Sequence, residues 1–306
     1  MRVAVIGTGG IGGYFGAQLA KAGADVTFVA RGAQLAALRE RGLVVESGVA
    51  PVALPQVRAT DDLAAIGAVD AALVCVKLWD VEPTAPRLAP LVARGGVAIP
   101  FQNGVDAPAI LQAALGAEAV AGGTAHIAAT IRAPGVIAHT GTLARLRVGT
   151  FERTRAAPVD AFVAAAKAAG IDCERVPDIT ATLWEKFTFL ASFAGLTAVA
   201  RVPLGPIRAD PAMRATFLAA MREVVALGRA RGVALPEDLA DRALAFADTL
   251  PAEMKSSQLV DLAAGRRIEA PWLSGAIARM AAAADLPAPV HATLYAALRP
   301  WVNGAP

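Results

Sequence analysis

Hydrophobic and polar positions divide the chain into two regimes. Residues 2–6 form a short apolar run that stops at a glycine, as a strand buried on both faces would. Residues 11–22 then read as a helix closed by Gly23, 25–29 as a second strand and 34–41 as a helix. The run Ala-Ala-Leu-Val-Cys-Val within 68–76 predicts another buried strand, 81–93 a helix despite Pro83 and Pro86, 96–100 a strand and 106–115 a helix. Strands alternating with helices at this spacing imply a parallel sheet covered on both faces.

The alternation changes after about Gly116. Residues 120–131 and 136–148 read as paired strands turning at Pro134-Gly135, followed by a helix over 158–169 and a short strand over 171–176. From Asp178 onward helical periods dominate, at 179–200, 211–231, 236–250, 257–264, 272–284 and 290–299. The predicted organisation is an α/β domain over 1–177 and an all-helical domain over 178–306. No Gly/Ser linker marks the junction.

Composition narrows the classes. A length of 306 residues fits two domains of roughly 150 residues each. With 18% charged residues and abundant Val, Ile and Leu, a disordered chain is excluded. The formal charge is only +3, and no aromatic-interleaved basic stripe occurs, so nucleic acid is not expected as a partner. Mean hydropathy is +0.50, yet the longest charge-free run, 3–20, holds six glycines, so no membrane span is expected. Cys75 and Cys173 are too far apart in sequence to suggest a disulfide framework, and a reducing cytoplasm is the simplest home. His126, His139 and His291 show no metal spacing, so no metal is expected and structural or surface roles are the default. Cys75 reads as a core thiol, and Trp79, Trp184, Trp272 and Trp301 as packing residues by default. Of 29 basic residues only five are lysines, namely Lys21, Lys77, Lys167, Lys186 and Lys255, which makes each lysine worth examining.

Chemistry concentrates in two places. Gly7-Thr8-Gly9-Gly10-Ile11-Gly12 fits G-x-G-x-x-G between a strand and a helix, the context in which that motif binds the pyrophosphate of a dinucleotide. Helix N-terminal N–H groups would face the phosphates. The second strand ends Phe28-Val29-Ala30-Arg31-Gly32, with no carboxylate for a ribose 2′-hydroxyl. Arg31 could instead pair with a 2′-phosphate, which favours NADPH over NADH; the alternative is a solvated arginine at a strand end. The second place is the helix 179–200. It carries Leu183, Trp184, Phe187, Phe189, Leu190 and Phe193 on all sides, as a buried helix does. Lys186 within it needs a partner or a ligand, unless it snorkels to the surface. The two readings weigh equally on physical grounds.

These marks together resemble the ketopantoate reductase (2-dehydropantoate 2-reductase) family nearly end to end. Beyond the glycine motif and Arg31 they comprise Val74-Cys75-Val76-Lys77, Gln102-Asn103-Gly104, Leu183-Trp184-Glu185-Lys186-Phe187, the run from Ser256 to Asp261, and Ile268-Glu269. The resemblance implies an N-terminal Rossmann-type α/β domain, an all-α C-terminal domain and an active site in the interdomain cleft. It implies NADPH-dependent reduction of ketopantoate to pantoate, a step of pantothenate biosynthesis. Lys186 then matches the catalytic proton donor and Glu269 the acidic residue beside it. Lys77 and Asn103 match residues for the cofactor ribose and the substrate carboxylate. Ser257 matches a substrate-contacting serine, though a helix N-cap would also explain it.

The sequence departs from the family at four positions. Leu190 and Ala194 stand where asparagines usually follow the lysine, and Pro271 and Ser274 where Asp and Asn usually follow the glutamate. An apolar site discriminates less against analogues, so a bulkier or more apolar 2-oxo acid, ketone or imine is expected to fit the pocket at Leu190 and Ala194. A non-catalytic dinucleotide sensor and an imine- or amine-forming reductase are the alternatives. The expected partner is a small carbonyl compound, with a homodimer through the helical half left open.

Overall fold

The structure is a computed structural model and describes residues 1–305. The chain forms two compact units, one of residues 1–102 and 106–179, the other of residues 103–105 and 180 onward.

The first unit begins with β1 (Arg2–Ile6), α1 (Gly10–Lys21), β2 (Asp25–Val29) and α2 (Gly32–Arg41). β3 (Leu43–Glu46), β4 (Val52–Leu54), β5 (Arg58–Thr60) and β6 (Ala71–Val74) follow. Its remaining elements are α3 (Leu78–Thr84), α4 (Ala89–Val92), β7 (Val97–Pro100), α5 (Ala107–Leu115), β8 (Gly122–Ala133), β9 (Val136–Gly149), α6 (Ala156–Ala168) and β10 (Asp172–Arg175).

Five strands make a fully parallel sheet in the order β5-β2-β1-β6-β7. The apolar runs explain its centre, because every residue of β6 and β7 and all of β1 after Arg2 is buried. β1 lies between β2 and β6, which the chain reaches in opposite directions, so the carboxyl end of β1 borders the topological switch point where ligands bind in open α/β sheets. A second, mixed sheet runs β10-β9-β3-β4, with β8 antiparallel on β9.

Two expectations are corrected here. The sequence gives no sign of β3, β4 and β5, which have three or four residues each and are too short to display a period. The helix expected over 81–93 is broken into α3, a 3₁₀ turn over Ala85–Leu88 and α4. Pro83, Pro86 and Pro90 remove the N–H groups that a continuous helix would use.

The second unit is all helical. Its members are α7 (Ile179–Ala200, within this unit from Thr180), α8 (Leu204–Ala209), α9 (Pro211–Ala230), α10 (Leu239–Thr249), α11 (Ser257–Ala263), α12 (Ser274–Ala283) and α13 (Pro289–Leu298). α8 has six residues and was not expected from the sequence. Trp184, Phe187 and Phe193 of α7 join Phe217 and Met221 of α9 in the core. α7 stays buried from Ala191 to Ala198 because its hydroxyls bond within the helix. Thr188 donates to the carbonyl of Trp184 at 2.9 Å, Ser192 to that of Thr188 at 3.0 Å, and Thr197 to that of Phe193 at 2.7 Å. No described helix is long and apolar enough to cross a membrane.

Candidate active site

The glycine motif turns from β1 into α1, and its glycines separate by what surrounds them. Gly7 adopts φ +100°, and a β-carbon there would lie 2.8 Å from the backbone nitrogen of Val76. A β-carbon on Gly10 would run into the carbonyl of Ala129, and one on Gly12 into the carbonyl of Gly7. The fold itself therefore needs glycine at 7, 10 and 12. At Gly9, φ is −87° and nothing lies within 4 Å of a would-be β-carbon. Packing gives no reason for glycine there, whereas a ligand approaching the backbone would. The N–H groups of the first turn of α1 have no intrahelical acceptor and suit an anion.

The turn is held rigidly. The N–H groups of Gly7 and Thr8 and the Thr8 hydroxyl all donate to the carbonyl of Val29, at 3.1, 3.0 and 3.0 Å. Gln34 donates to the carbonyl of Thr8 at 3.0 Å and accepts from the N–H of Gly135 at 2.9 Å. Ile11 packs at the edge of the core. Arg31, following β2, is exposed and pairs with Asp80 in the first turn of α3, Nη2 to Oδ2 at 3.0 Å. Lys77 caps α3 and places its ammonium 5.6 Å from the ring centre of Trp79. Gln102 donates to the carbonyls of Val74 and Val76 at 3.0 and 2.9 Å, tying the end of β6 to the residues that follow β7. Its buried Oε1 has no partner.

In the second unit, Lys186 of α7 donates to Oδ1 of Asn103 at 3.1 Å. Lys186 is half-buried, and burial pushes its ammonium down to about 8 while the negative charge of Glu269 pulls it back up. Glu269 is itself buried, just before the 3₁₀ turn Ala270–Trp272, where its carbonyl accepts from the N–H groups of Trp272 and Leu273 at 3.0 and 3.2 Å. Gly104, at φ +92°, lies against the carbonyl of Trp272, which places the segment after Asn103 beside the turn that carries Glu269. Asn103, Lys186 and Glu269 thus make one acid–base cluster around a lysine titrating close to neutrality.

The other candidates are distributed differently. Leu190, one turn beyond Lys186, is half-buried. Ala194 lies in the helical core, and its carbonyl accepts from Gln258 at 3.2 Å. Pro271 is half-buried, and Ser274 is fully buried with its hydroxyl 3.3 Å from Nδ1 of His291. Ser257 is exposed at the start of α11, and the N-cap is its neighbour Ser256, whose Oγ accepts from the N–H of Leu259 at 3.0 Å. Ser256 is the residue whose backbone turns into the helix, so its side chain and not that of Ser257 meets the free N–H groups.

The histidines have local bonds. His139 bonds Ser47 at 2.9 Å and the carbonyl of Leu143 at 3.1 Å, and His126 lies 3.4 Å from Thr124. Burial pushes both the Cys75 and Cys173 thiols up to about 12, which disfavours the nucleophilic thiolate. Among the described residues, no group of three or more His, Cys, Asp or Glu could hold a metal ion. Sequence reasoning missed Gln34 and Asp80, whose partners are remote in sequence.

The family model for ketopantoate reductase PanE/ApbA matches residues 3–153, and that for its C-terminal domain matches residues 178–301. This chain belongs to the ketopantoate reductase family. It is 30% identical to the uncharacterized oxidoreductase YkpB of Bacillus subtilis over 98% of both chains. It is 29% identical to a 2-dehydropantoate 2-reductase of Mesorhizobium japonicum, over 98% of this chain and 97% of that one. Among solved structures, the 2-dehydropantoate 2-reductase of Geobacter metallireducens superposes with a TM-score of 0.91 at 29% identity, over 98% of this chain and 99% of that one. A D-mandelate dehydrogenase solved with NADH and anilino(oxo)acetate shares the fold, at a TM-score of 0.90 and 16% identity. The chain is accordingly an oxidoreductase of the ketopantoate reductase family with a parallel-sheet N-terminal domain and a helical C-terminal domain.

Proposed function

We propose that this protein is an NADPH-dependent reductase acting on a 2-oxo acid or a related carbonyl compound, with Lys186 as proton donor. The observation that carries this is the half-buried ammonium of Lys186, held by Asn103 under the charge of Glu269 and titrating at about 8. An acid works best with a pKa near the working pH, and burial brings this lysine there. The open space at Gly9, in a turn otherwise shaped by packing, supports a dinucleotide at the N-terminus of α1. Arg31, in place of a carboxylate after β2, supports the 2′-phosphate form. Ketopantoate as substrate is supported by relatives named for that reaction.

The cofactor supplies a hydride when bound. The rest falls to the chain. Lys186 would hold its proton toward the carbonyl oxygen and release it as negative charge develops there. Asn103 holds the ammonium in place by accepting one of its N–H bonds. Glu269 keeps the lysine protonated against the cost of burial. Lys77 and Asn103 would contact the cofactor ribose and the substrate carboxylate, and Ser257 the substrate.

A second reading, reduction of a more apolar ketone or imine, is favoured by Leu190 one turn beyond Lys186. Ala194 and Ser274 support it less, since the core and His291 absorb them. NADPH oxidation followed by absorbance with 2-dehydropantoate and a panel of ketones decides between the two, run with and without ammonia or an amine. A high specificity constant for 2-dehydropantoate alone supports the first reading, and turnover dependent on an amine supports imine reduction. Cofactor binding without turnover on any carbonyl compound contradicts both.

A further inference from the structure

The ion pair between Arg31 and Asp80 bears on which cofactor the glycine turn accepts. Arg31 follows β2, and Asp80 lies in the first turn of the helix that follows β6. β1 runs between those two strands, so the pair joins the elements that flank the glycine turn. The two members differ in freedom. The Arg31 side chain is 76% exposed, whereas that of Asp80 is 26% exposed and its backbone N–H is fixed on the carbonyl of Lys77 at 2.9 Å. Asp80 is the anchored partner and Arg31 the movable one.

A surface pair of this kind contributes little to folding. Its consequence lies in the local charge, because one guanidinium beside one carboxylate is close to neutral. A dianionic 2′-phosphate arriving at Arg31 would meet the attraction of the guanidinium and the repulsion of Asp80 together. A ribose 2′-hydroxyl carries no charge to repel and meets a carboxylate, the group that suits it.

We propose that Asp80 is a specificity-determining residue that narrows the preference for NADPH over NADH by weakening the hold on NADPH. This rests on the reading that Arg31 faces the adenosine ribose. In that role Asp80 occupies one edge of the guanidinium and weakens its hold on the phosphate. Sequence reading could not supply this, because the acid lies 49 positions from the arginine.

The test is the dissociation constant of NADPH and of NADH, measured by nucleotide fluorescence for wild type, Asp80→Asn and Arg31→Ala. Asp80→Asn keeps the size of the side chain and an oxygen for Arg31 while removing the charge. It is expected to tighten NADPH about fivefold at low salt, to change NADH by less than about twofold and to leave the melting temperature unmoved. The gain should shrink in 0.5 M salt, roughly three times the physiological ionic strength, where exposed charges are screened. An unchanged NADPH-to-NADH ratio in Asp80→Asn, alongside a changed ratio in Arg31→Ala, overturns the role of Asp80. An unchanged ratio in Arg31→Ala overturns the placement of Arg31 itself and the proposal with it.

Discussion

The ammonium of Lys186 and the amide oxygen of Asn103 are 3.1 Å apart, although 83 positions separate them in the chain. Asn103 follows directly on Gln102, whose amide is bonded to the end of β6.

This arrangement sets a pH dependence. Burial lowers Lys186 to about 8, so the acid required for reduction is present below that pH and lost above it. Carbonyl reduction should be level below about pH 8 and fall about tenfold per unit above it, while the reverse oxidation, which needs neutral lysine, should rise with pH up to about 8 and level off above it. Asn103→Asp adds a negative charge beside the ammonium and should move both breaks to higher pH. Steady-state rates from pH 6 to 10, a span of about two units either side of that value, check this; a reduction rate flat across the range contradicts it.

The glycine motif offers a separation of folding from binding. Gly12→Ala drives a methyl group into the carbonyl of Gly7 and should destabilise the protein by several kcal/mol or prevent its folding. Gly9→Ala meets nothing within 4 Å and should leave the melting temperature nearly unchanged while weakening NADPH at least tenfold. Thermal melts beside cofactor titrations check the pair. Unimpaired cofactor binding in Gly9→Ala would remove the support that this position gives to the dinucleotide.

Recovery of the fold from sequence followed the length of each apolar signal. β1 and β7 are short but uninterrupted apolar runs beside glycines, and α7 is apolar on every face, so all three could be read directly. β5 is Arg-Ala-Thr and becomes a strand only because Thr27, Phe28 and Val29 of β2 offer it an open edge. The site divides in the same way. Lys186 stood out as a rare lysine on a buried helix, and the glycine turn as a motif in context. The partners that tune them could not be seen, since Asp80 on Arg31 and Gln34 on Thr8 are joined only by the folding of the sheet.

A second titration belongs to stability. His291 is fully buried, and Glu223 accepts the N–H groups of Val290 and His291 at 2.7 and 3.0 Å. The Ala220 carbonyl can only accept, so Nε2 of His291 carries the hydrogen in that 3.1 Å bond and Nδ1 accepts from Ser274. Burial lowers the histidine from 6.5 to about 4. The unfolded chain therefore binds an extra proton between those values, and stability falls as pH drops from about 6.5 toward 4. The loss amounts to about 3 kcal/mol when complete. His291→Gln should flatten that part of the profile in denaturant titrations, and an unchanged slope would contradict the assignment.

The central claim is that Lys186 delivers the proton to the reduced carbonyl, and Lys186→Met tests it most directly. Turnover of NADPH with the best carbonyl substrate should fall by a factor of about 100 to 10,000, the contribution expected of a positioned acid, with the cofactor dissociation constant changed by less than about threefold. Turnover near that of the wild type in a variant that still binds NADPH would contradict the account.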